Sequence, residues 1–187
     1  TMAREKDIWG PYEGDPRNPI VTSVPGYSYE RHDPDHLKPK YFNPDSPLQK
    51  AGHGSYVETP QGEVYLFHLC SRPFVPELRC TLGRETAVQK MTWTEDGWLR
   101  MADGTNLAKV EVPESTLPEC PFPDIPEYDD FDSDELGIYY YAPRQMPSSF
   151  ASVTARKGYV RIRGEESGTS LNRASILARK LTSVHVR

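Results

Sequence analysis

AGHGSYVETPQGEVYLFHLCSRPFVPELRCTLGRETA, residues 51–87, is the stretch from which the fold is read. Residues 55–58 and 63–69 flank the tight turn Thr59-Pro60-Gln61-Gly62, which predicts a β-hairpin. In the second strand Val64, Leu66 and His68 point one way, and Tyr65, Phe67 and Leu69 the other. Both faces are largely apolar, so this strand is expected between two neighbours and not at an edge. A proline-broken loop then delivers Arg84 and Glu85 to the head of a third strand. His53 stands between Gly52 and Gly54, where the backbone can turn sharply and leave the imidazole facing open space. Arg84 follows Gly83 at a loop-to-strand junction, from which a long cationic side chain can reach across a pocket.

Working outward, residues 86–93 and 98–101 predict a second hairpin, turned by Glu95-Asp96-Gly97. Repeating hairpins with short turns suit a β-propeller blade and a β-sandwich alike. On the N-terminal side, residues 1–4 read as the end of a strand whose start lies before Thr1. A polar turn follows at 7–12, and a short strand at 20–23. The insertion Pro25–Pro47 holds five prolines and reads as loop. Within it, His32 and His36 have the i, i+4 spacing of helical metal ligands, with Asp33 and Asp35 beside them. Pro34 between them disfavours the helix, so a solvated loop is the better reading.

On the C-terminal side, residues 112–128 carry five prolines and several acids, the composition of an extended linker. Asp130, Asp132 and Asp134 alternate like a calcium loop. Glu135 and Tyr141 occupy the positions that need a turn glycine and a bidentate glutamate, so a solvated acidic turn is expected instead. Residues 138–141 and 159–163 read as strands, the latter with Val160 and Ile162 inward. Residues 171–181 fit a helix or a strand by pattern. The expected division is 1–112, a linker over 113–128, and 129–187.

The 187 residues are 36% hydrophobic and include eighteen prolines, lean for one compact core. A formal charge of −5 with mixed signs argues against a nucleic-acid partner. No apolar run approaches membrane-spanning length, and no signal peptide opens the chain, which begins at Thr1. Cys70, Cys80 and Cys120 match no zinc spacing and read as reduced thiols. With no N-x-S/T sequon either, the expected location is cytoplasmic.

Taken together, KAGHGS (50–55), YLFHLCSRP (65–73) and CTLGRETA (80–87) resemble the β-xylosidase branch of glycoside hydrolase family 43. TMAR, IWGPYE and NPIVTS before them, and WTEDGWLRM, VEVPESTLPE, DDFDSDEL and KGYVRIRGEES after them, fall in the family's order. The resemblance implies an all-β chain: the last blades of a five-bladed β-propeller, the linker, then the beginning of a β-sandwich, with a strand at 171–181. It also implies that the chain is a fragment.

The same resemblance implies hydrolysis of β-1,4-xylo-oligosaccharides from the non-reducing end, with inversion and α-L-arabinofuranosidase side activity. Glycoside hydrolysis needs one carboxyl group to protonate the leaving oxygen and another to activate water. The family's general-base Asp, its pKa-modulating Asp and its general-acid Glu all match positions before Thr1, so this chain alone is expected to be inactive. Glu58, Glu63 and Glu85 are candidates only by proximity. The first two are expected to be exposed, and Glu85 to sit in a structural Arg–Glu pair.

What the resemblance retains here is part of the sugar-binding floor. Arg84 matches the arginine that reaches the non-reducing xylose; its planar fork can hold two ring hydroxyls. The plainer alternative is a salt-bridge arginine. His53 matches the histidine on the propeller axis, near which a hydrated calcium ion is expected to rest mainly on water oxygens. The plainer alternative is a buried, hydrogen-bonded histidine. His68 is expected to be a satisfied core residue, and Trp9, Trp93 and Trp98 to pack in hairpins. No cofactor is required, the partner is xylose or a xylo-oligosaccharide, and the parent enzyme is expected to be a homo-oligomer. The alternative functions are an inactive carbohydrate-binding or structural remnant, or one half of a split enzyme whose open strand edges favour association.

Overall fold

The computed structural model of the chain describes residues 1–24, 43–80, 82–165 and 174–182. It divides into two compact units, Thr1–Pro118 and Glu119–Arg187.

The first unit is built on a four-stranded antiparallel sheet of β3 (Gln49–Glu58), β4 (Val64–Ser71), β5 (Glu85–Trp93) and β6 (Leu99–Met101), ordered β3-β4-β5-β6. It is preceded by a short pair, β1 (Ala3–Arg4) with β2 (Glu13–Gly14). Strand order equals chain order because each connection returns the chain beside the strand it has just left, as a propeller blade requires. The β3–β4 turn closes with Thr59 N donating to Glu63 O at 2.8 Å, and Gly62 takes φ 80°. The β5–β6 turn closes with Thr94 N donating to Trp98 O at 2.8 Å, and Gly97 takes φ 81°.

β4 is central, as its two apolar faces predict. Its register with β5 runs from Val64 opposite Met91 to Cys70 opposite Glu85. One face therefore carries Val64, Leu66, His68 and Cys70 beside Ala87, Gln89 and Met91, all buried. Ile20, Val21, Leu48, Leu99, Met101 and Ala108 complete the core on that face. Burying each large apolar side chain contributes about 1.5–3 kcal/mol.

The strand expected at 20–23 is reduced to a single parallel bridge, Thr22 with Leu107. Thr22 N donates to Asn106 O at 2.8 Å, and Ala108 N to Thr22 O at 2.9 Å. Ile20 and Val21 lie outside that bridge, while their side chains still enter the core. Asp15 and Arg100 form a buried ion pair that ties this N-terminal segment to β6.

The second unit contains two short antiparallel pairs, β7 (Tyr140–Tyr141) with β10 (Ala178–Arg179) and β8 (Ala151–Ser152) with β9 (Arg161–Ile162). A 3-10 turn, Pro147–Ser149, precedes β8. The strands expected at 138–141 and 159–163 thus shrink to two residues each. Ile162 is 45% exposed, not inward, because its pair has no further strand laid over it among the described residues. β10 falls within 171–181 and is a strand; residues 171–173 lie outside the described residues. So do residues 25–42, which include the His32–His36 motif. Among the described residues, no helix is long and apolar enough to cross a membrane.

Candidate functional site

β3 meets β4 with two one-residue register shifts. Gln49 lies opposite Ser71, Gly52 opposite Leu69 and Ser55 opposite Phe67, so twice three residues span the length of two. Such bulges bend a strand and re-aim a side chain. The second places His53 at φ 50° with its side chain exposed. The sharp turn expected of the flanking glycines is therefore made by the histidine itself, a residue that tolerates the left-handed region better than most. Gly54 is needed for space: a Cβ there would lie 2.9 Å from Leu66 Cδ1 and 3.3 Å from the Phe67 carbonyl oxygen. His53 is thus an exposed bulge residue and not a buried, hydrogen-bonded one.

Arg84 ends the loop between β4 and β5. That loop is braced internally: Phe74 N donates to Arg79 O at 2.9 Å, and Leu78 N to Phe74 O at 2.7 Å. Gly83, at φ 71°, makes the final turn before Arg84. Arg84 is exposed and makes no hydrogen bond or ion pair with the described residues. Its neighbour Glu85 points elsewhere, accepting from Arg72 Nη1 at 2.9 Å, the kind of Arg–Glu pair the sequence suggested. The second carboxylate oxygen of Glu85 is buried without a partner. The sequence reading did not single out Arg72. Its position one residue past β4, with Cys70 facing Glu85, is the signal that finds it.

His53 lies in β3 and Arg84 immediately before β5, the two strands that flank β4. Gly52, Leu69 and Thr86 form one row across the sheet, with His53 following the first and Arg84 two residues before the last. A cavity of about 480 Å³ lies in the second unit, lined by Asp134, Glu135, Tyr140, Met146, Ser152 and Thr154 among others. Neither His53 nor Arg84 lines it.

Of the three candidate glutamates, Glu63 and Glu85 are engaged in ion pairs. Glu58 is exposed, as expected, but at the opposite end of the sheet from Glu85. Glu63 departs from expectation: its side chain is only 14% exposed and accepts from Lys90 Nζ at 2.8 Å. Its other oxygen accepts from Thr116 N and Oγ1, each at 2.8 Å. The Lys90 hydrogen bond, followed by the two from Thr116, pulls the Glu63 pKa down to about 2. A carboxyl group so acidic is a poor proton donor to a leaving oxygen.

His68 is a satisfied core residue. Its Nδ1–H donates to the Leu69 carbonyl at 3.0 Å, and Nε2 accepts from Gln89 Nε2 at 3.2 Å. Burial lowers its pKa, so the ring stays neutral. The tryptophans divide. Trp98 is buried beneath the Arg4 guanidinium, 4.0 Å from its ring centroid. Trp93 meets Tyr56 edge to face, with 5.3 Å between centroids. Trp9 is 90% exposed and packs in no hairpin, because it lies in the turn between β1 and β2. Among the described residues no three His, Cys, Asp or Glu side chains come together as a metal site.

The family model for glycosyl hydrolases family 43 matches residues 1–99. A second model, the beta xylosidase C-terminal Concanavalin A-like domain, matches residues 128–187. A β-xylosidase of Bacillus subtilis (strain 168) is 35% identical over 99% of this chain and 33% of its own length. A xylosidase/arabinosidase of Humicola insolens is 44% identical over 56% of this chain and 16% of its own. The crystal structure of a xylan β-1,4-xylosidase from Bacillus halodurans C-125 superposes with a TM-score of 0.76 and 47% identity. That match covers 98% of this chain and 32% of the other. The four-stranded meander is accordingly part of a β-propeller, and the second unit part of a β-sandwich. The chain spans about a third of the length of the Bacillus subtilis relative.

Proposed function

Because this chain belongs to glycosyl hydrolases family 43, we propose that the protein serves the hydrolysis of β-1,4-xylo-oligosaccharides from their non-reducing end. Inversion at the anomeric carbon and a lesser activity on α-L-arabinofuranosides belong to the same proposal. The observation that carries it is the family match over residues 1–99, which include both the His53 bulge and the Arg84 junction. The hydrolase reading is favoured over an inert binding module because the matched relatives are β-xylosidases and a xylosidase/arabinosidase.

In this reading Arg84 offers its guanidinium fork to two pentose hydroxyls, and the exposed His53 forms another part of the floor. The exposure of both side chains, and the absence of an internal partner for Arg84 among the described residues, support these roles. The acid and base that move protons are supplied from outside these 187 residues. Among the described residues Glu63, Glu85 and Asp15 are committed to Lys90, Arg72 and Arg100, so none of these three is free to serve as the acid or the base beside a glycosidic oxygen. The hydrolysis calls on no cofactor. A calcium ion beside His53, part of the same proposal, would rest on water oxygens, since imidazole suits so hard a cation poorly. No step passes through it.

The test is xylobiose binding by this chain, followed by calorimetry or amide chemical shifts, together with turnover of a nitrophenyl β-xyloside. Saturable binding that Arg84→Ala abolishes, without turnover, is the expected result. Absence of binding overturns the floor. Turnover by the isolated chain overturns the external origin of the carboxyl groups.

A further inference from the structure

Arg84 stands next in sequence to an ion pair that joins two residues thirteen apart, Arg72 and Glu85. The loop that carries it leaves β4 after Ser71 and re-enters the sheet at Glu85. Arg72, the first loop residue, reaches across to Glu85, the first residue of β5, with 2.9 Å between Nη1 and Oε1. The two ends of the loop are therefore clipped together at its base, directly beside Arg84. The remaining oxygen of Glu85 is buried with no hydrogen-bond partner. Among the described residues Arg72 is the cation paired with that carboxylate, and without it a partly buried charge would be left uncompensated. The nearest other guanidinium along the chain is that of Arg84.

We propose that Arg72 and Glu85 are positioning residues for pentose recognition. Their ion pair holds the base of the β4–β5 loop closed, so that the backbone at Gly83 presents the exposed Arg84 guanidinium to the sugar. This rests on the reading of Arg84 as a pentose-binding residue. Gly83, at φ 71° with open space around it, sets the backbone direction, and the clip sets where that direction starts.

Two readouts on the 187-residue chain separate this inference from the reading beneath it. Xylobiose affinity is one. The rate of tryptic cleavage at the Arg84–Glu85 bond, followed by mass spectrometry, is the other and needs no sugar. Arg72→Ala should weaken xylobiose binding by about five-fold and accelerate that cleavage several-fold. Arg72→Lys, which keeps the charge, should return both most of the way. Unchanged affinity and unchanged cleavage in Arg72→Ala overturn the clip, and so does an Arg72→Lys variant indistinguishable from Arg72→Ala. If Arg72→Ala does not fold, Arg72→Gln takes its place: weaker xylobiose binding with faster cleavage supports the clip, and parental affinity with parental cleavage overturns it. Should Arg84→Ala bind xylobiose as the parent does, the sugar-binding reading fails. The cleavage rates still decide whether the pair closes the loop.

Discussion

Lys90 Nζ lies 2.8 Å from Glu63 Oε1, while the other Glu63 oxygen holds the backbone and hydroxyl of Thr116. One carboxylate, sitting just before β4, thus joins β5 to a proline-rich segment more than fifty residues further along the chain.

Acid should loosen this junction. The Glu63 pKa is held at about 2, below its ordinary 4.5, chiefly by the Lys90 hydrogen bond. A depressed folded-state value means stabilisation that is complete above pH 4.5 and lost as pH falls towards 2. Glu63→Gln should therefore flatten the pH dependence of the urea midpoint in that window. An unchanged slope would refute the role given to this carboxylate.

A second acid-sensitive group acts at higher pH. Burial lowers the His68 pKa below 6.5, so the neutral ring stabilises the fold above that pH and the contribution fades as pH falls through the folded value. Gln89 donates to His68 and also bonds both Lys109 N and Lys109 O, each at 3.0 Å. Gln89→Leu leaves those groups unpaired and should lower stability by about 1–3 kcal/mol, measured by chemical denaturation at pH 8.

Asp15 and Arg100 should behave as a buried pair. Arg100 Nη2 donates to Asp15 Oδ1 at 2.8 Å, and the Asp15 side chain is fully buried. Asp15→Asn leaves the guanidinium under-compensated and should cost about 3–5 kcal/mol. A thermal midpoint unmoved by that substitution would count against the pair as a structural tie.

The bulge at His53 separates space from conformation. Gly54→Ala drives a Cβ against Leu66 and the Phe67 carbonyl and should cost about 1–3 kcal/mol. His53→Gly keeps the left-handed backbone and should change stability by no more than about 1 kcal/mol, while weakening xylobiose binding. Equal losses of stability in the two variants would show that the bulge does not work this way.

The outer edge of β3 carries exposed Tyr56 and Val57 and has no strand partner among the described residues. Such an edge invites pairing with another chain. Sedimentation velocity should show self-association that grows with concentration and weakens when Val57 becomes Lys; a monomer at all concentrations argues otherwise.

Alternation of apolar residues and the turn residues at Thr59–Gly62 and Glu95–Gly97 were enough to read the meander from the amino-acid order, including the central place of β4. These are local signals: a period of two and a required backbone angle are written in neighbouring residues. The motifs around His53 and Arg84 likewise carried the family. The order of residues did not carry the register insertions that turn His53 outward, nor the shrinking of the second unit's strands to two residues. It did not show that Glu63 is held by Lys90 and Thr116, or that Arg72 claims Glu85. Those facts depend on which distant segments meet, and that is decided only when the strands lock into one register and the chain closes on itself.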